Sequence, residues 1–311
     1  MTITWRELNT ESVPAWTELV NLLAKVDGTE EYYTEADLAE ELVATGFDPA
    51  QHSLAAWQDG QLAGFLNVSV NHNLESTGVA AGHLDGGVHP DHRGRGIGRQ
   101  LMEVMEPRAE QLLRQRHPGA PAVLRSRGGI AGASVRRLLE HRGYRLARHF
   151  HDLERSLAGE LPEAPVLPVQ PFRQDVAEQV RLAHNEAFAD HWGSAPRTEQ
   201  NWREMVESRA FQPDLSFLSV AEDGVVDAYV LSFAWVAEEA HIGLVGTRRR
   251  ARGRGLARAC IAASLRAAAE RGMGKAALAV DSENPSGAGR LYASLGFRPV
   301  RVVAAYERSV G

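Results

Sequence analysis

The residue types most suited to chemistry in this chain lie in a glycine- and arginine-rich stretch, Arg252-Gly253-Arg254-Gly255-Leu256-Ala257. It follows a short apolar segment, His241 to Val245, that favours a β-strand. After it, the residues up to Arg271 are rich in alanine and leucine and contain no proline, which predicts a helix. A glycine-rich turn at the start of a helix leaves backbone N–H groups without partners, and such groups bind phosphate well. We therefore predict a site for a diphosphate-bearing cofactor.

Composition and length narrow the class of protein. The chain has 311 residues, which suggests two domains at roughly 150 residues each. Its net charge of −6 gives no general attraction to nucleic acid or to a membrane surface. We find no apolar run of the roughly 20 residues that span a bilayer, and no secretory signal at the start. The single cysteine, Cys260, is predicted to be a buried apolar residue, and the expected compartment is the cytoplasm.

The chain repeats itself. The stretch that begins at Arg252 has an earlier copy, Arg93-Gly94-Arg95-Gly96-Ile97-Gly98, at an offset of 252 − 93 = 159 residues. An Asp-Gly hairpin signal precedes each copy, at residues 59–60 and 223–224. A repeat of this length indicates a duplicated domain, because solenoid repeats have periods of about 20–50 residues. The proline-rich segment Ala158 to Pro171 is predicted to be the linker, which gives domains 1–157 and 158–311.

Both halves have the same predicted order of elements. A short strand is followed by two helical stretches, a β-hairpin, a strand that ends at the glycine loop, and a long helix. A further strand, a second helix and a final β-hairpin complete each half. This order predicts an α+β fold in which each domain has a mixed, mostly antiparallel sheet flanked by helices. The helical stretches before the hairpins are predicted at residues 12–25, 34–45, 175–190 and 198–208.

Three other kinds of site have to be weighed. A dinucleotide-binding fold requires Gly-x-Gly-x-x-Gly, and the glycine spacing in both loops differs from it. A nucleic-acid patch would explain the arginines at 248–254, but the net charge is negative and no aromatic pattern lies nearby. We expect Arg254 and Arg258 to contact phosphate and Arg249 and Arg250 to be solvated. A metal site is not predicted, because the histidines at 149 and 151 have no third ligand nearby.

The loop pattern Arg-x-x-Gly-x-Gly/Ala resembles the pyrophosphate-binding loop of the GCN5-related N-acetyltransferases (GNAT). The stretch from Val280 to Phe297, with Asn284 and Tyr292, resembles the second motif of that family. The resemblance covers most of both halves and implies two tandem GNAT domains. It implies an acetyl-CoA-dependent N-acetyltransferase that acts on a primary amine of a small molecule. The layout is similar to the mycothiol synthase-like members, which implies acetylation of a cysteinyl-sugar amine as an alternative.

The resemblance also implies two catalytic residues in the second half. The family places a base eleven residues before the first arginine of the loop, at 252 − 11 = 241, which is His241. Histidine titrates near neutral pH and suits this role, while Glu238 and Glu239 are alternatives. Tyr292 matches the family tyrosine beside the coenzyme sulfur and is the implied acid. A solvent-facing strand histidine and a core tyrosine remain the purely structural alternatives for these two residues.

Both glycine loops are implied to hold the cofactor. In the second copy the implied contacts, including strand N–H groups for the thioester oxygen, are Val245, Gly246, Thr247, Arg252, Gly253, Arg254, Gly255, Leu256, Ala257, Arg258 and Asn284. In the first copy they are Val88, Arg93, Gly94, Arg95, Gly96, Ile97 and Gly98. Asn284 could instead, or in addition, cap the helix that follows it.

The first half lacks the polar groups that are implied to do chemistry. The positions that match the tyrosine, the histidine and the asparagine hold Leu139, Gly82 and Ala131. We therefore expect a first domain that keeps the phosphate loop without transferring an acetyl group, and a catalytic second domain.

The acceptor site is the least defined. In the family, the segment between the first two helices lines the acceptor pocket, and here it contains His191 and Trp192. With a neighbouring carboxylate these side chains would suit a cationic amine, although packing at a helix end explains them equally well. A non-catalytic acyl-CoA-binding protein and a peptide acetyltransferase remain alternatives. We expect a monomer or homodimer.

Overall fold

The computed structural model describes residues 2–163, 166–284 and 286–311. Residues 164 and 165 of the predicted linker, and Pro285 of the second motif, lie outside the described residues. The chain forms two compact units. The N-terminal unit consists of Met1–His149 and Val303–Gly311, and the C-terminal unit consists of Phe150–Val302. These units differ from the halves 1–157 and 158–311, because the end of each half belongs to the other unit.

The N-terminal unit is a mixed sheet between two layers of helix. Its helices are α1 (Val13–Val26), α2 (Glu35–Leu42), α3 (Pro49–His52), α4 (Ile97–Arg116) and α5 (Ser134–His141). Its strands before α5 are β1 (Thr4–Arg6), β2 (Ser53–Gln58), β3 (Gln61–Val70), β4 (Ala80–Val88) and β5 (Ala122–Gly129). Neighbouring strands are antiparallel except β4 and β5, which are parallel.

Local sequence explains where these helices lie. Thr34 caps α2, since its hydroxyl accepts from the backbone N–H of Asp37 at 3.3 Å and the Asp37 carboxylate accepts from the Thr34 N–H at 2.7 Å. On one face of the sheet, the apolar side of α4 packs through residues such as Leu101. On the other face, α1 and α2 pack through residues such as Trp16 and Leu38. The two apolar helix faces therefore cover both sides of the sheet.

The C-terminal unit has the same plan. Its helices are α6 (Ala177–Ala187), α7 (Glu199–Glu207), α8 (Leu256–Glu270) and α9 (Ala288–Ser294). Its strands include β7 (Gln170–Pro171), β8 (Phe217–Val220), β9 (Val226–Phe233), β10 (Glu239–Thr247) and β11 (Lys275–Asp281). Only β10 and β11 are parallel neighbours among these strands. Helix α8 covers one face, and α6 and α7 cover the other. The predicted α+β fold is confirmed.

The prediction of a final β-hairpin in each half is wrong. Each half ends in one long strand, β6 (Arg145–Ser156) and β12 (Arg298–Val310). Neither segment contains a glycine that would allow a tight reversal, and Pro299 is only the second residue of β12. Residues 304–310 of β12 pair with β5 in the N-terminal unit. Residues 150–156 of β6 pair with β11 in the C-terminal unit. Each unit is thus completed by the last strand of the other half.

Three further expectations concern Cys260, membrane spans and metal sites. Cys260 is fully buried in α8, and burial raises the pKa of its thiol to about 12, so the predicted apolar role is confirmed. Among the described residues, no helix is long and apolar enough to cross a membrane. The same residues contain no group of three His, Cys, Asp or Glu side chains that could hold a metal ion.

Because the last strand of each half completes the other unit, two core substitutions should destabilise the unit that the strand joins and not the half that encodes it. Tyr306 of β12 is 4% exposed in the N-terminal core, and Leu153 of β6 is 5% exposed in the C-terminal core. Each change to alanine removes a large buried side chain and should cost about 3 kcal/mol locally. We expect Tyr306→Ala to speed amide hydrogen exchange in α4 and Leu153→Ala to speed it in α8, measured by mass spectrometry. Faster exchange of α8 in Tyr306→Ala, with α4 unchanged, would contradict the exchange of strands.

Candidate active site

The C-terminal unit contains a gap in its sheet. Strands β10 and β11 pair over three residues only, ending at His241 and Ala277. Beyond that point β10 continues against β9 to Thr247, while β11 continues against β6 to Asp281. In the described structure, the backbone groups of residues 242–247 that face β11 therefore have no strand partner. Free N–H groups of this kind can support a developing oxyanion, and the predicted residues Val245, Gly246 and Thr247 lie in this segment.

A buried tyrosine–histidine pair lies behind this segment. Tyr229 of β9 is opposite Gly246, and a Cβ at Gly246 would lie only 2.5 Å from the Tyr229 hydroxyl. That hydroxyl is 2.7 Å from Nδ1 of His184 on α6. Burial lowers the pKa of His184 to about 3, so the imidazole is neutral. Sequence reasoning missed both residues, and the signal was a glycine inside a strand, where a close approach of another group is expected.

His241 lies on β10 at the last residue pair before the gap. A β-bulge follows at Gly243, where Phe233 fills the space that a Cβ would need, at 2.6 Å. The His241 ring meets Trp235 edge-on with centroids 5.4 Å apart, and its Nδ1 is 3.8 Å from the Glu239 carboxylate. The side chain is 31% exposed, so solvent and an acceptor can reach it.

The two alternative bases are placed less favourably. Glu239 is the first residue of β10, and its carboxylate lies 2.9 Å from Nζ of Lys275. Although burial alone would raise the pKa of Glu239, hydrogen bonds with His241 and Lys275 lower it. An ionised, paired carboxylate of this kind is a weak base. Glu238 is exposed in the turn before β10.

The glycine loop has the geometry of an anion site. Gly253 and Gly255 have φ angles of +76° and +80°, in the left-handed region that glycine adopts readily. Gly255 is the N-cap of α8, and because glycine has no side chain it cannot cap the first turn of the helix. The N–H groups of Leu256, Ala257 and the next residue therefore point away from the helix start, as the sequence predicts.

The arginines around the loop divide into tethered and accessible groups. Arg248 is paired with Glu186 and also donates to the Val226 carbonyl. Arg250 is held by two carboxylates, Asp223 at 2.8 Å and Asp227 at 2.7 Å, rather than being solvated as expected.

The remaining loop arginines are held to different extents. Arg252 folds back on the Thr247 carbonyl at 3.4 Å. Arg254 lies 3.4 Å from Asp227 and its side chain is 61% exposed, while Arg249 pairs with Asp190. Arg258 donates to Ser294 Oγ at 2.7 Å. Arg254 is thus the side chain whose weak pairing and exposure best suit a phosphate contact.

Tyr292 is on α9 and is 8% exposed. Its ring meets Phe297 edge-on, with centroids 6.1 Å apart, and it belongs to the same core as α8. Burial raises the pKa of Tyr292 to about 12, so its hydroxyl keeps its proton over the physiological pH range. The structural and catalytic interpretations of this tyrosine are therefore compatible.

The structure places two predicted site residues in contact: Asn284, predicted to contact the cofactor, and His191, predicted to contact the acceptor. The Asn284 side-chain amide donates to Nε2 of His191 at 2.9 Å, so that nitrogen is an acceptor. Burial lowers the pKa of His191, consistent with a neutral ring. Trp192 lies beside Phe150, with ring centroids 6.3 Å apart.

Asn284 does not cap the helix after it. Gly287 is the N-cap of α9, whereas the Asn284 side-chain oxygen accepts from the N–H and the hydroxyl of Ser286 at 2.9 and 2.7 Å. The capping alternative is therefore wrong, because Asn284 lies three positions before the cap residue.

The glycine loop of the N-terminal unit has the same backbone but a different arginine environment. Gly94 and Gly96 have φ angles of +73° and +86°, and Gly96 is the uncapped N-cap of α4, directly before Ile97 and Gly98. Arg93 donates to the Val88 carbonyl at 3.0 Å, as Arg252 does to Thr247 in the second copy. Both ends of its guanidinium are bound to Asp27, at 2.8 and 2.6 Å. Arg93 is thus tied down, and the exposed Arg95 is the nearby cation that can meet a phosphate.

Comparison with known proteins connects this geometry with a family. The model of the acetyltransferase (GNAT) family matches residues 7–120 and 177–297. Mycothiol acetyltransferase from Nocardia farcinica is 30% identical over 322 residues, 98% of this chain and 97% of the relative. The mycothiol acetyltransferase of Nocardiopsis dassonvillei is 32% identical over 278 residues, 78% of this chain and 77% of that protein.

Solved structures share the fold over almost the whole chain. A GCN5-related N-acetyltransferase from Sphaerobacter thermophilus has a TM-score of 0.76 at 25% identity, covering 99% of this chain and 95% of its own. A tandem GNAT protein from the clavulanic acid biosynthesis pathway has a TM-score of 0.73 at 16% identity and covers 100% of this chain and 99% of its own. Matches in both halves account for the repeat, the two glycine loops and the two sheets. The chain therefore belongs to the acetyltransferase (GNAT) family, as a tandem member with two units of that fold.

Proposed function

We propose that this N-acetyltransferase moves an acetyl group from acetyl-CoA to a primary amine of a small molecule in its C-terminal unit. The observation that carries the proposal is the coincidence, in that unit, of the gap between β10 and β11, the uncapped start of α8, His241 and Tyr292. The N-terminal unit has the corresponding gap and loop, but Gly82 and the fully buried Leu139 stand at the positions of the two catalytic residues.

The residues of the C-terminal unit fit a diphosphate-bearing thioester. The N–H groups at the start of α8 and the guanidinium of Arg254 are suited to the pyrophosphate. The N–H groups of Val245, Gly246 and Thr247 are suited to the thioester oxygen. When bound, acetyl-CoA supplies an activated acetyl group and a thiolate leaving group. We assign the Asn284 amide to the arm of the same molecule, on the side where it now contacts His191.

Two side chains manage the protons of the transfer. His241 accepts a proton from the substrate ammonium, directly or through a water molecule, so that the resulting neutral amine has a free electron pair for attack. The Glu239 carboxylate, 3.8 Å from Nδ1 of His241, is placed to orient the imidazole. Tyr292 donates its proton to the departing sulfur, and its raised pKa keeps that proton available. The N–H groups of β10 stabilise the negative charge on the carbonyl oxygen between these steps.

Acetylation of a cysteinyl-sugar amine is the second candidate function. It is favoured by the mycothiol acetyltransferases that are 30% or more identical to this chain over most of its length. The histidine at position 241 speaks against it, since the resemblance to mycothiol synthase-like members implies a glutamate at the position of the base. Measuring kcat/KM with a cysteinyl glucosaminide and with unrelated primary amines separates the two candidates.

Tyr292→Phe tests the acid. The change removes one hydroxyl and keeps the ring that packs on Phe297, so kcat should fall at least tenfold, about 1.4 kcal/mol or more in the barrier, with unchanged acetyl-CoA affinity. Because burial raises the pKa of Tyr292 to about 12, its hydroxyl stays protonated, and wild-type kcat should not fall through loss of this proton below about pH 10. Tyr144→Phe removes another buried hydroxyl, in the N-terminal unit, and should leave kcat unchanged. Equal kcat in wild type and Tyr292→Phe would exclude the acid role.

His241→Ala tests the base. Thiol release should fall by about 10²-fold or more near neutral pH, because the amine loses its proton acceptor. In pH–rate profiles measured with saturating amine, the rate of the variant should keep rising with hydroxide concentration at pH values where the wild-type rate has become constant. Glu238→Gln, which alters the exposed alternative base, should reproduce the wild-type profile. An unchanged profile in His241→Ala, or a lost plateau in Glu238→Gln, would overturn the assignment.

A further inference from the structure

The sheet of the N-terminal unit opens in the same way as that of the C-terminal unit, but charged side chains stand at the opening. Parallel pairing stops just before Asp85 on β4 and Arg127 on β5. The matching positions of the C-terminal unit, 85 + 159 = 244 and 127 + 153 = 280, hold the apolar Leu244 and Val280. The two openings therefore offer different chemistry to a ligand.

Asp85 and Arg127 belong to a cluster that several elements of the N-terminal unit build together. We call it the N-terminal polar cluster, and its members are Glu31, Tyr33, Glu41, Asn67, Asp85 and Arg127. Arg127 Nη1 is 2.6 Å from both carboxylate oxygens of Glu31, and the Asn67 amide donates to Glu41 at 3.1 Å. The Asp85 carboxylate accepts no hydrogen bond from any residue in the described ranges.

Asn67 provides an independent sign that this cluster is incomplete. The residue is 6% exposed, and its side-chain oxygen has no hydrogen-bond partner in the described part of the chain. Asn67 is directly opposite Asp85 in the antiparallel pairing of β3 and β4, so the two side chains share one face of the sheet. Its amide nitrogen bonds to Glu41, and Asp85 lies on the same face of the sheet, so Asn67 has a carboxylate neighbour on each of two elements. Buried polar atoms almost always have a partner, and here the missing partner is a donor.

The charges of the cluster do not balance. Three carboxylates face one guanidinium, whose Nη1 is bound to Glu31. Loss of surrounding water and repulsion from Asp85 raise the pKa of Glu41 to about 7. Loss of surrounding water also raises the pKa of Asp85, although the positive charge of Arg127 opposes this shift. The same loss of water raises the pKa of Tyr33. A cation bound among these groups would attract the ionised carboxylates and so lower the pKa values of Glu41 and Asp85.

We propose that the opening in the sheet of the N-terminal unit binds a small molecule through a primary ammonium group, which donates to Asp85, Glu41 and the unpaired oxygen of Asn67. An ammonium group has three donors and one positive charge, which matches two carboxylates and one amide oxygen. The acyl end of a thioester has no donor for any of them. The site goes beyond the proposed function, because it assigns an amine ligand to the unit that we do not propose to be catalytic.

The test is a titration of the full chain with 1,4-diaminobutane, with 1,4-butanediol as an uncharged control. Heat and released protons are followed in a pH-stat and a calorimeter at about pH 6.5 and about 0.15 M NaCl. We expect the diamine to bind and the diol not to bind. We also expect proton release, because a bound cation favours the ionised form of Glu41. Asp85→Asn should weaken binding at least about tenfold, and Glu41→Gln should remove the proton release. Glu103→Gln, an exposed charge on α4, should match wild type.

Several outcomes would overturn the proposal. Absence of diamine binding, or equal binding by wild type and Asp85→Asn, would exclude the ammonium site. Tyr292→Phe and His241→Ala are titrated in parallel, because the diamine is also a possible acceptor in the C-terminal unit. Loss of binding in those variants, with Asp85→Asn unaffected, would place the amine at the proposed catalytic site. The substitutions at 41 and 85 keep side-chain volume, so two independent variants report on the same cluster.

Discussion

The short parallel pairing of two strands is the constraint on which the rest of each unit depends. In the C-terminal unit, β10 and β11 share three residue pairs, and each strand is then held by its outer antiparallel neighbour. Antiparallel pairing on the outer sides keeps both strands in the sheet although their inner edges separate. The unpaired backbone at the inner edge of β10 would be costly in a closed core, and a ligand with a carbonyl oxygen supplies the missing acceptor. The bulge at Gly243 and the close contact of Tyr229 with Gly246 fix where that backbone lies.

The duplication shows how one backbone plan is used with different side chains. Both units part a parallel strand pair and start a helix at an uncapped left-handed glycine. In the C-terminal unit the opening is lined by apolar residues and flanked by His241, which suits a neutral thioester and an amine that must lose a proton. The N-terminal opening carries Asp85 and Arg127, and Arg93 beside its loop is already bound by Asp27. The two units therefore share a fold while their openings favour different ligands.

Much of this could be predicted from the sequence, because the signals are local. Glycine-rich turns at helix starts, Asp-Gly hairpins and a proline-free alanine-rich helix depend on a few neighbouring residues, and the structure confirms them. The loop also lies beside the strand that was expected to support the thioester oxygen. The roles of His241 and Tyr292 remain predictions.

The features that the sequence could not predict all depend on distant contacts. The last strand of each half completes the other unit, and a turn prediction has no access to the partner of a strand. The Tyr229–His184 pair is formed by residues 45 positions apart, and the N-terminal polar cluster gathers residues from 31 to 127. The bond between Asn284 and His191, 93 residues apart, likewise replaced a local cap by a tertiary contact. Counting from a motif finds positions along a chain but not which side chains meet in space.

The central claim is that only the C-terminal loop serves acetyl transfer, and a matched pair of substitutions tests it directly. Ala257 and Gly98 are the second residues of α8 and α4, at the same offset of 257 − 98 = 159. A glutamate at either position places negative charge where a phosphate would bind. We predict that Ala257→Glu lowers kcat/KM for acetyl-CoA at least about tenfold and that Gly98→Glu leaves it within about twofold. A loss of kcat/KM in Gly98→Glu with Ala257→Glu unaffected would contradict the account.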